Sequence, residues 1–270
     1  MSNFLSRTIS SIILAAIVIL VVYVFPTWVF CLAATIFVAC GLMEFFRMVN
    51  KRDIFVYKYF GTIAGSLIPI VIYLGYYFPK FTNLEPMLIV AAGIVTLVLQ
   101  FLRKEADHDH LVSTAVTVFS ILYIAWFFSF MVKLRLLDNG ANLVAYLILV
   151  TKSTDIGAYL IGSRIGRSEL IPRISPKKTK EGTIGGVAVS ILLSMTLGKM
   201  LTGFAYSHLF FLGFSLAVLG QIGDLAESLL KRDCRVKDSA SYVVGIGGIF
   251  DVIDSLLFTA PIFYFYVKGF

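Results

Sequence analysis

The stretch Gly223–Ser255, GDLAESLLKRDCRVKDSASYVVGIGGIFDVIDS, decides how the chain is read. It is the end of one apolar helix carrying Asp224 and Glu227, then a basic turn with Lys231, Arg232, Arg235 and Lys237. Glycines then open a second helix that bears Asp251 and Asp254. Carboxylates and cations meet here between lipid-soluble helices. That mixture suits a divalent metal with an anionic, phosphate-bearing substrate: carboxylate oxygens hold the metal, while Lys, Arg and helix N-terminal N–H groups neutralise phosphate oxygens. Phosphate chemistry at a membrane surface is the expectation.

Working outward, the whole chain is compatible with that setting. Its 270 residues are 59% hydrophobic and only 14% charged, with a mean hydropathy of +0.89, too apolar for a soluble domain of this length. Apolar runs of about 18 to 25 residues fit membrane-spanning helices, and the short alternation of a barrel strand is absent. The expected fold is all-α: nine spans at roughly 7–25, 27–49, 57–78, 84–102, 111–135, 141–162, 184–203, 207–231 and 249–268. Arg7 to Phe25 runs straight into Pro26 and Trp28, so it reads as a retained first helix rather than a cleaved signal. The cysteines Cys31, Cys40 and Cys234 form no CxxC pair, which makes a thiolate metal site a poor expectation.

Orientation follows from the basic residues, which accumulate in cytoplasmic loops. Of the 23 Lys and Arg residues, seventeen fall in the loops on one side, five on the other, and Lys152 inside a span. The amino terminus is therefore expected in the cytoplasm and the carboxyl terminus outside. No repeat or linker divides the chain, so 1–270 reads as a single membrane domain. Residues 1–140 form amino-terminal helices without evident chemistry, and 141–270 form a catalytic half.

In the first part, Pro69 is expected to kink the third span, and Gly61 with Gly65 offers a small-residue packing face. Glu44 reads as a snorkelling or locally paired carboxylate near Lys51 rather than a site residue, and Asp107-His108-Asp109-His110 as a solvated connection rather than a metal site. The second part changes character at Thr151. Lys152 and Asp155 lie inside an apolar span, where an ionisable group costs about 2.5 to 3.5 kcal/mol and is functional or paired. Two readings of Lys152 stay open, a self-neutralising pair with Asp155 and a functional cation. Asp155 and Asp224 each lie seven residues from the cytoplasmic end of their spans, hence about 10 Å deep, with Asp251 and Asp254 about 3 to 8 Å deep. Carboxylates on three helices thus share one layer, which a common polar cavity explains.

Between the sixth and seventh spans, GSRIGRSELIPRISPKKTKEGTIGG carries six cations against two carboxylates. A cytoplasmic loop alone would attract some of them. Ser175-Pro176 is expected to fix a turn before the lysines. Glu181-Gly182 and Gly185-Gly186 would let backbone approach a ligand closely, and compact lysine charges suit a triphosphate.

At these residues the sequence resembles the phosphatidate cytidylyltransferases, also called CDP-diacylglycerol synthases. Ser228, Lys231, Arg232, Lys237, Asp238, Gly247, Gly248, Asp251 and Asp254 fall on the spacing of that family's carboxyl-terminal signature. Ser175, Pro176, Lys177, Lys178, Thr179, Glu181 and Gly182 resemble its SPKKTxEG element, and Asp155, Gly157, Ala158 and Tyr159 the segment before it. The likeness covers about residues 150 to 255. Val244, Ile246 and Val252 depart from the family's Pro, His and Arg; Ile246 can neither donate nor take a proton, so no role of that His transfers here.

The resemblance implies transfer of the cytidylyl group of CTP to phosphatidic acid, giving CDP-diacylglycerol and pyrophosphate with Mg²⁺, and leaves room for a second cation. It implies Asp224 and Asp251 as metal carboxylates, with Asp254 and Asp155 ligating or orienting. Lys177, Lys178, Lys231, Arg232 and Lys237 would hold phosphates. Ser175, Thr179 and Glu181 would shape the loop, with Asp238, Gly247 and Gly248 at the substrate. The implied partners are CTP, phosphatidic acid and membrane lipid, with a homodimer left open and no nucleic acid; the implied location is the cell's inner (plasma) membrane, with the site facing the cytoplasm. A CTP-using lipid kinase, an archaeal-lipid cytidylyltransferase and, from another class, a secondary transporter are the alternatives. A transporter's site is expected near the bilayer midplane, away from this layer.

Overall fold

The computed structural model describes residues 12–103, 109–237, 239–240 and 247–269. Among them nine helices form: α1 (Ile12–Val24), α2 (Thr27–Asn50), α3 (Lys58–Tyr77), α4 (Leu84–Phe101), α5 (His110–Arg135), α6 (Gly140–Ile165), α7 (Lys180–Thr202), α8 (Tyr206–Asp233) and α9 (Ile249–Gly269). Eight of them, α2 to α9, are long and apolar enough to cross a membrane, the pattern of a multi-pass membrane protein. The first expected span, 7–25, begins in residues outside the described ones; its described part, α1, is shorter.

Helix ends follow local chemistry. Pro26, with extended backbone, stands before α2, where its missing N–H removes no helical bond. Gly203, at φ +72°, ends α7 in the left-handed conformation that favours glycine. A π-helical stretch, Ile121–Trp126, interrupts α5.

The chain divides into two compact units. One holds residues up to Leu136 together with Asp233–Val252, and the other Leu137–Arg232 with Ile253–Phe270. In the first, a Cβ on Gly61 would meet the Phe46 ring at 2.6 Å, and one on Gly65 would meet Ala125 Cβ at 3.0 Å. The expected small-residue face of α3 therefore receives α2 and α5 at close range. Phe45, Tyr123 and Phe250 form an aromatic cluster, with ring centroids 5.7 Å apart for Phe45–Phe250 and 6.2 Å for Tyr123–Phe250.

In the second unit α6 packs along α7. A Cβ on Gly157 would meet Val189 Cβ at 2.8 Å, so only glycine admits this approach. Hydroxyls stitch the apolar layer: Ser190 Oγ donates to the carbonyls of Val150 and Gly213 at 3.2 and 3.1 Å, and Tyr146 Oη lies 2.6 Å from Ser194 Oγ.

The loop between α6 and α7 departs from expectation. It folds into an antiparallel hairpin, β1 (Glu169–Ile171) and β2 (Ser175–Thr179), with Glu169 opposite Thr179 and Ile171 opposite Ser175. The turn falls at Pro172–Ile174 and not at Ser175-Pro176, which lies in the strand. Pro172 supplies the restricted φ that a turn uses, while Pro176 is tolerated because a two-stranded sheet is all edge.

Candidate functional site

Helix α7 begins where the hairpin ends, and the junction is made by side chains. Thr179 Oγ1 accepts the Gly182 N–H at 3.1 Å, capping the helix. The Glu181 carboxylate accepts the backbone N–H groups of Arg167 and Ser168 at 3.1 and 3.2 Å, tying the segment before β1 to the first turn of α7. Gly182 lies so close to α6 that a Cβ there would meet the Ala158 carbonyl oxygen at 2.7 Å. The hairpin is thereby held against α6, and β2 presents Ser175, Lys177 and Lys178 to a cavity of about 410 Å³. Asp155 and Tyr159 of α6, and Gln221 and Asp224 of α8, line it as well.

Charges inside this unit are paired across elements. Lys178 Nζ forms an ion pair with Asp224. Lys152 Nζ lies 3.5 Å from Asp155 and 3.7 Å from Asp254, and donates to Ser255 Oγ at 2.8 Å. The ammonium makes the pair expected with Asp155 and also reaches Asp254 and Ser255 of α9. Lys231 pairs with Glu227 at 2.7 Å one turn before it, and Arg232 Nε donates to the Ile174 carbonyl at 3.2 Å, joining the end of α8 to the hairpin turn.

Asp224, Glu227 and Asp254 each offer a carboxylate oxygen, and these three oxygens lie within 4.8 Å of one another. Glu227 and Asp254 are buried and Asp224 half-buried. Hard oxygen donors at this spacing can hold a divalent cation of the Mg²⁺ type, which takes one or two carboxylates and fills its remaining positions with water or phosphate oxygens. Glu227 is the member that sequence reasoning did not place in the site. Its signal was the i, i+3 spacing from Asp224, which puts both on one helix face.

Asp251 lies one turn before Asp254 on α9, where its Oδ2 accepts the Gly248 N–H at 2.8 Å. Gly247 adopts φ +110°, a conformation strained for any other residue. Lys177 and Lys237 are exposed. Asp238, Val244 and Ile246 lie outside the described residues, as do Asp107 and His108 of the connection after α4. His110 of that connection starts α5, with Nδ1 3.0 Å from Gln100 Oε1.

Glu44 is not the locally paired carboxylate expected from its distance to Lys51. It is fully buried and accepts from Ser239 Oγ, the Ile249 N–H and the Phe250 N–H, each at 2.9 Å. Partners some two hundred residues away leave no local signal.

Comparison with known proteins shows the family of the chain. A model of the cytidylyltransferase family matches residues 5–270. The phosphatidate cytidylyltransferase of Bacillus subtilis (strain 168) is 41% identical over 147 residues, 53% of this chain and 54% of the relative. An uncharacterized protein, YnbB of Escherichia coli (strain K12), is 39% identical over 153 residues, 57% of this chain and 51% of the relative. The chain thus spans about half the length of these two relatives. Phosphatidate cytidylyltransferase 4 (chloroplastic) of Arabidopsis thaliana is 34% identical over 278 residues, 89% of this chain and 68% of the relative. With the family model matched over nearly its whole length, the chain belongs to the cytidylyltransferase family.

Proposed function

We propose that the chain transfers the cytidylyl group of CTP to phosphatidic acid, releasing pyrophosphate and forming CDP-diacylglycerol. One observation carries the reading: a single cavity sets Lys177 and Lys178 of the hairpin against Asp155 and Asp224 of two apolar helices. Such a cavity can accept a triphosphate and metal-binding groups together at the edge of lipid. Matches to relatives named phosphatidate cytidylyltransferase support the choice of substrates.

The reaction asks little covalent work of the protein. The lipid phosphate is already ionised near neutral pH, so its oxygen attacks the α-phosphorus of CTP without a general base, and pyrophosphate leaves in line. The chain's task is to align two anions and screen their repulsion. Lys177, Lys178, Lys231, Arg232 and Lys237 are assigned to the phosphates, and Asp238, Gly247 and Gly248 to the substrate. Ser175, Thr179 and Glu181 shape the hairpin. Asp224 and Asp251 are assigned to the metal, and Asp254, Asp155 and Glu227 to ligating or orienting roles beside it. When bound, Mg²⁺ would neutralise charge on the phosphate oxygens.

The fuller topology belongs to the same proposal: nine spans, the amino terminus in the cytoplasm, the carboxyl terminus outside, and the cavity opening to the cytoplasm in the inner (plasma) membrane. Residues 141–270 act as the catalytic half. Transfer of label from α-labelled CTP into lipid, dependent on phosphatidic acid, tests the assignment.

A further inference from the structure

The amino-terminal helices look idle in the chemistry, yet one of their side chains is built into the start of α9. The first N–H groups of a helix have no partner within it and carry the positive end of the helix dipole. At α9, Glu44 of α2 takes two of them: Oε1 accepts Ile249 N–H and Oε2 accepts Phe250 N–H, each at 2.9 Å. Oε2 also accepts from Ser239 Oγ at 2.9 Å, and the carboxylate is fully shielded from solvent. The next donor back, Gly248 N–H, goes to Asp251 Oδ2 at 2.8 Å.

Two further observations show that this seat is tightly specified. A Cβ on Gly248 would run into both Glu44 Oε2 and Ser239 Oγ, so the carboxylate closes on bare backbone. The neighbouring residues of the two helices also meet, with the Phe45 and Phe250 rings 5.7 Å apart. Consecutive residues of α2 therefore grip consecutive residues of α9, one pair by hydrogen bonds and one by packing.

We propose that Glu44 is a positioning residue for the reaction, setting the Gly247-Gly248 turn and the Asp251 carboxylate from a helix outside the catalytic half. The inference rests on the cytidylyltransferase reading, because it takes that turn and Asp251 to face substrate. Asp251 Oδ2 accepts the Gly248 N–H, so the carboxylate is tied to the backbone of the turn, which Glu44 fixes at the two residues that follow it. A Gln at position 44 keeps the shape but turns an amide N–H₂ toward one of the donors, opening one side of the seat.

The test uses the 270-residue protein in detergent, as wild type, Glu44→Gln and Phe45→Leu. Phe45→Leu loosens the packing at the same point without touching the hydrogen bonds. Hydrogen exchange at the Ile249 and Phe250 amides should quicken at least about tenfold in Glu44→Gln. The KM for CTP, which does not depend on how much protein is folded, should rise at least about fivefold in Glu44→Gln and stay within about twofold in Phe45→Leu. Unchanged exchange in Glu44→Gln, or an equal KM rise in both variants, overturns the proposal. Exchange reads the seat without any reaction, so a wild type unable to make CDP-diacylglycerol would sink the function assignment separately, and the amides alone would then decide on the seat.

Discussion

Lys178 on β2 forms an ion pair with Asp224 on α8, so a cation assigned to phosphate and a carboxylate assigned to metal neutralise each other across the cavity. The two side chains are 27% and 29% exposed, while Lys178 Nζ itself is buried. The placement matters for function, because a triphosphate with its cation can replace each partner by a stronger one.

Removing either member should therefore cost reaction rate rather than fold. Lys178→Ala and Asp224→Asn are each expected to lower kcat/KM by at least about two decades, with little change in thermal stability. The double variant should fall well short of the product of the two losses, since one residue holds the triphosphate and the other the cation bound to it. Strict additivity in this cycle would separate the two residues functionally.

Glu227 supplies a second prediction. It is almost wholly buried, holds Lys231 at 2.7 Å, and stands with Asp224 and Asp254 in the carboxylate group. Glu227→Gln should weaken Mn²⁺ binding, read by electron paramagnetic resonance without substrate, by at least about tenfold. Wild-type affinity would leave Glu227 as a partner of Lys231 only.

The membrane helices were legible in the sequence because lipid imposes a simple rule: long apolar runs bounded by charge. The expected span of 57–78 became Lys58–Tyr77, and 111–135 became His110–Arg135. The hairpin was not legible. Its strands are three and five residues long and rich in charge, so hydrophobic alternation has nothing to act on. Within the site, depth counting along three helices put Asp155, Asp224, Asp251 and Asp254 in one layer, of which Asp224 and Asp254 meet with Glu227 in the carboxylate group. The structure ties Asp155 and Asp254 together through Lys152, a link that required knowing which faces of α6 and α9 meet. Glu44 was misread for the opposite reason. A nearby lysine in sequence outweighed backbone donors that only the tertiary fold delivers.

Sidedness gives a third prediction, motivated by the unequal distribution of Lys and Arg. In a background with Cys31 and Cys40 replaced by Ser, Arg173→Cys and Arg235→Cys should react with an impermeant maleimide from the cytoplasmic face, and Lys80→Cys from the opposite face. Cys234 can remain. Burial raises its thiol pKa, and the Asp233 carboxylate adds to the rise against a smaller opposing pull from Arg52, so it stays protonated and slow to react near neutral pH. Labelling of Arg173→Cys and Arg235→Cys from different faces would contradict the proposed topology.

The central claim is attack at the α-phosphorus of CTP by a lipid phosphate, and labelled CTP tests it most directly. With purified protein, Mg²⁺ and phosphatidic acid, label from α-labelled CTP should enter the lipid and label from γ-labelled CTP should leave as pyrophosphate, with no lipid labelled when phosphatidic acid is omitted. Transfer of the γ-label to lipid, or lipid labelling without phosphatidic acid, would contradict the account.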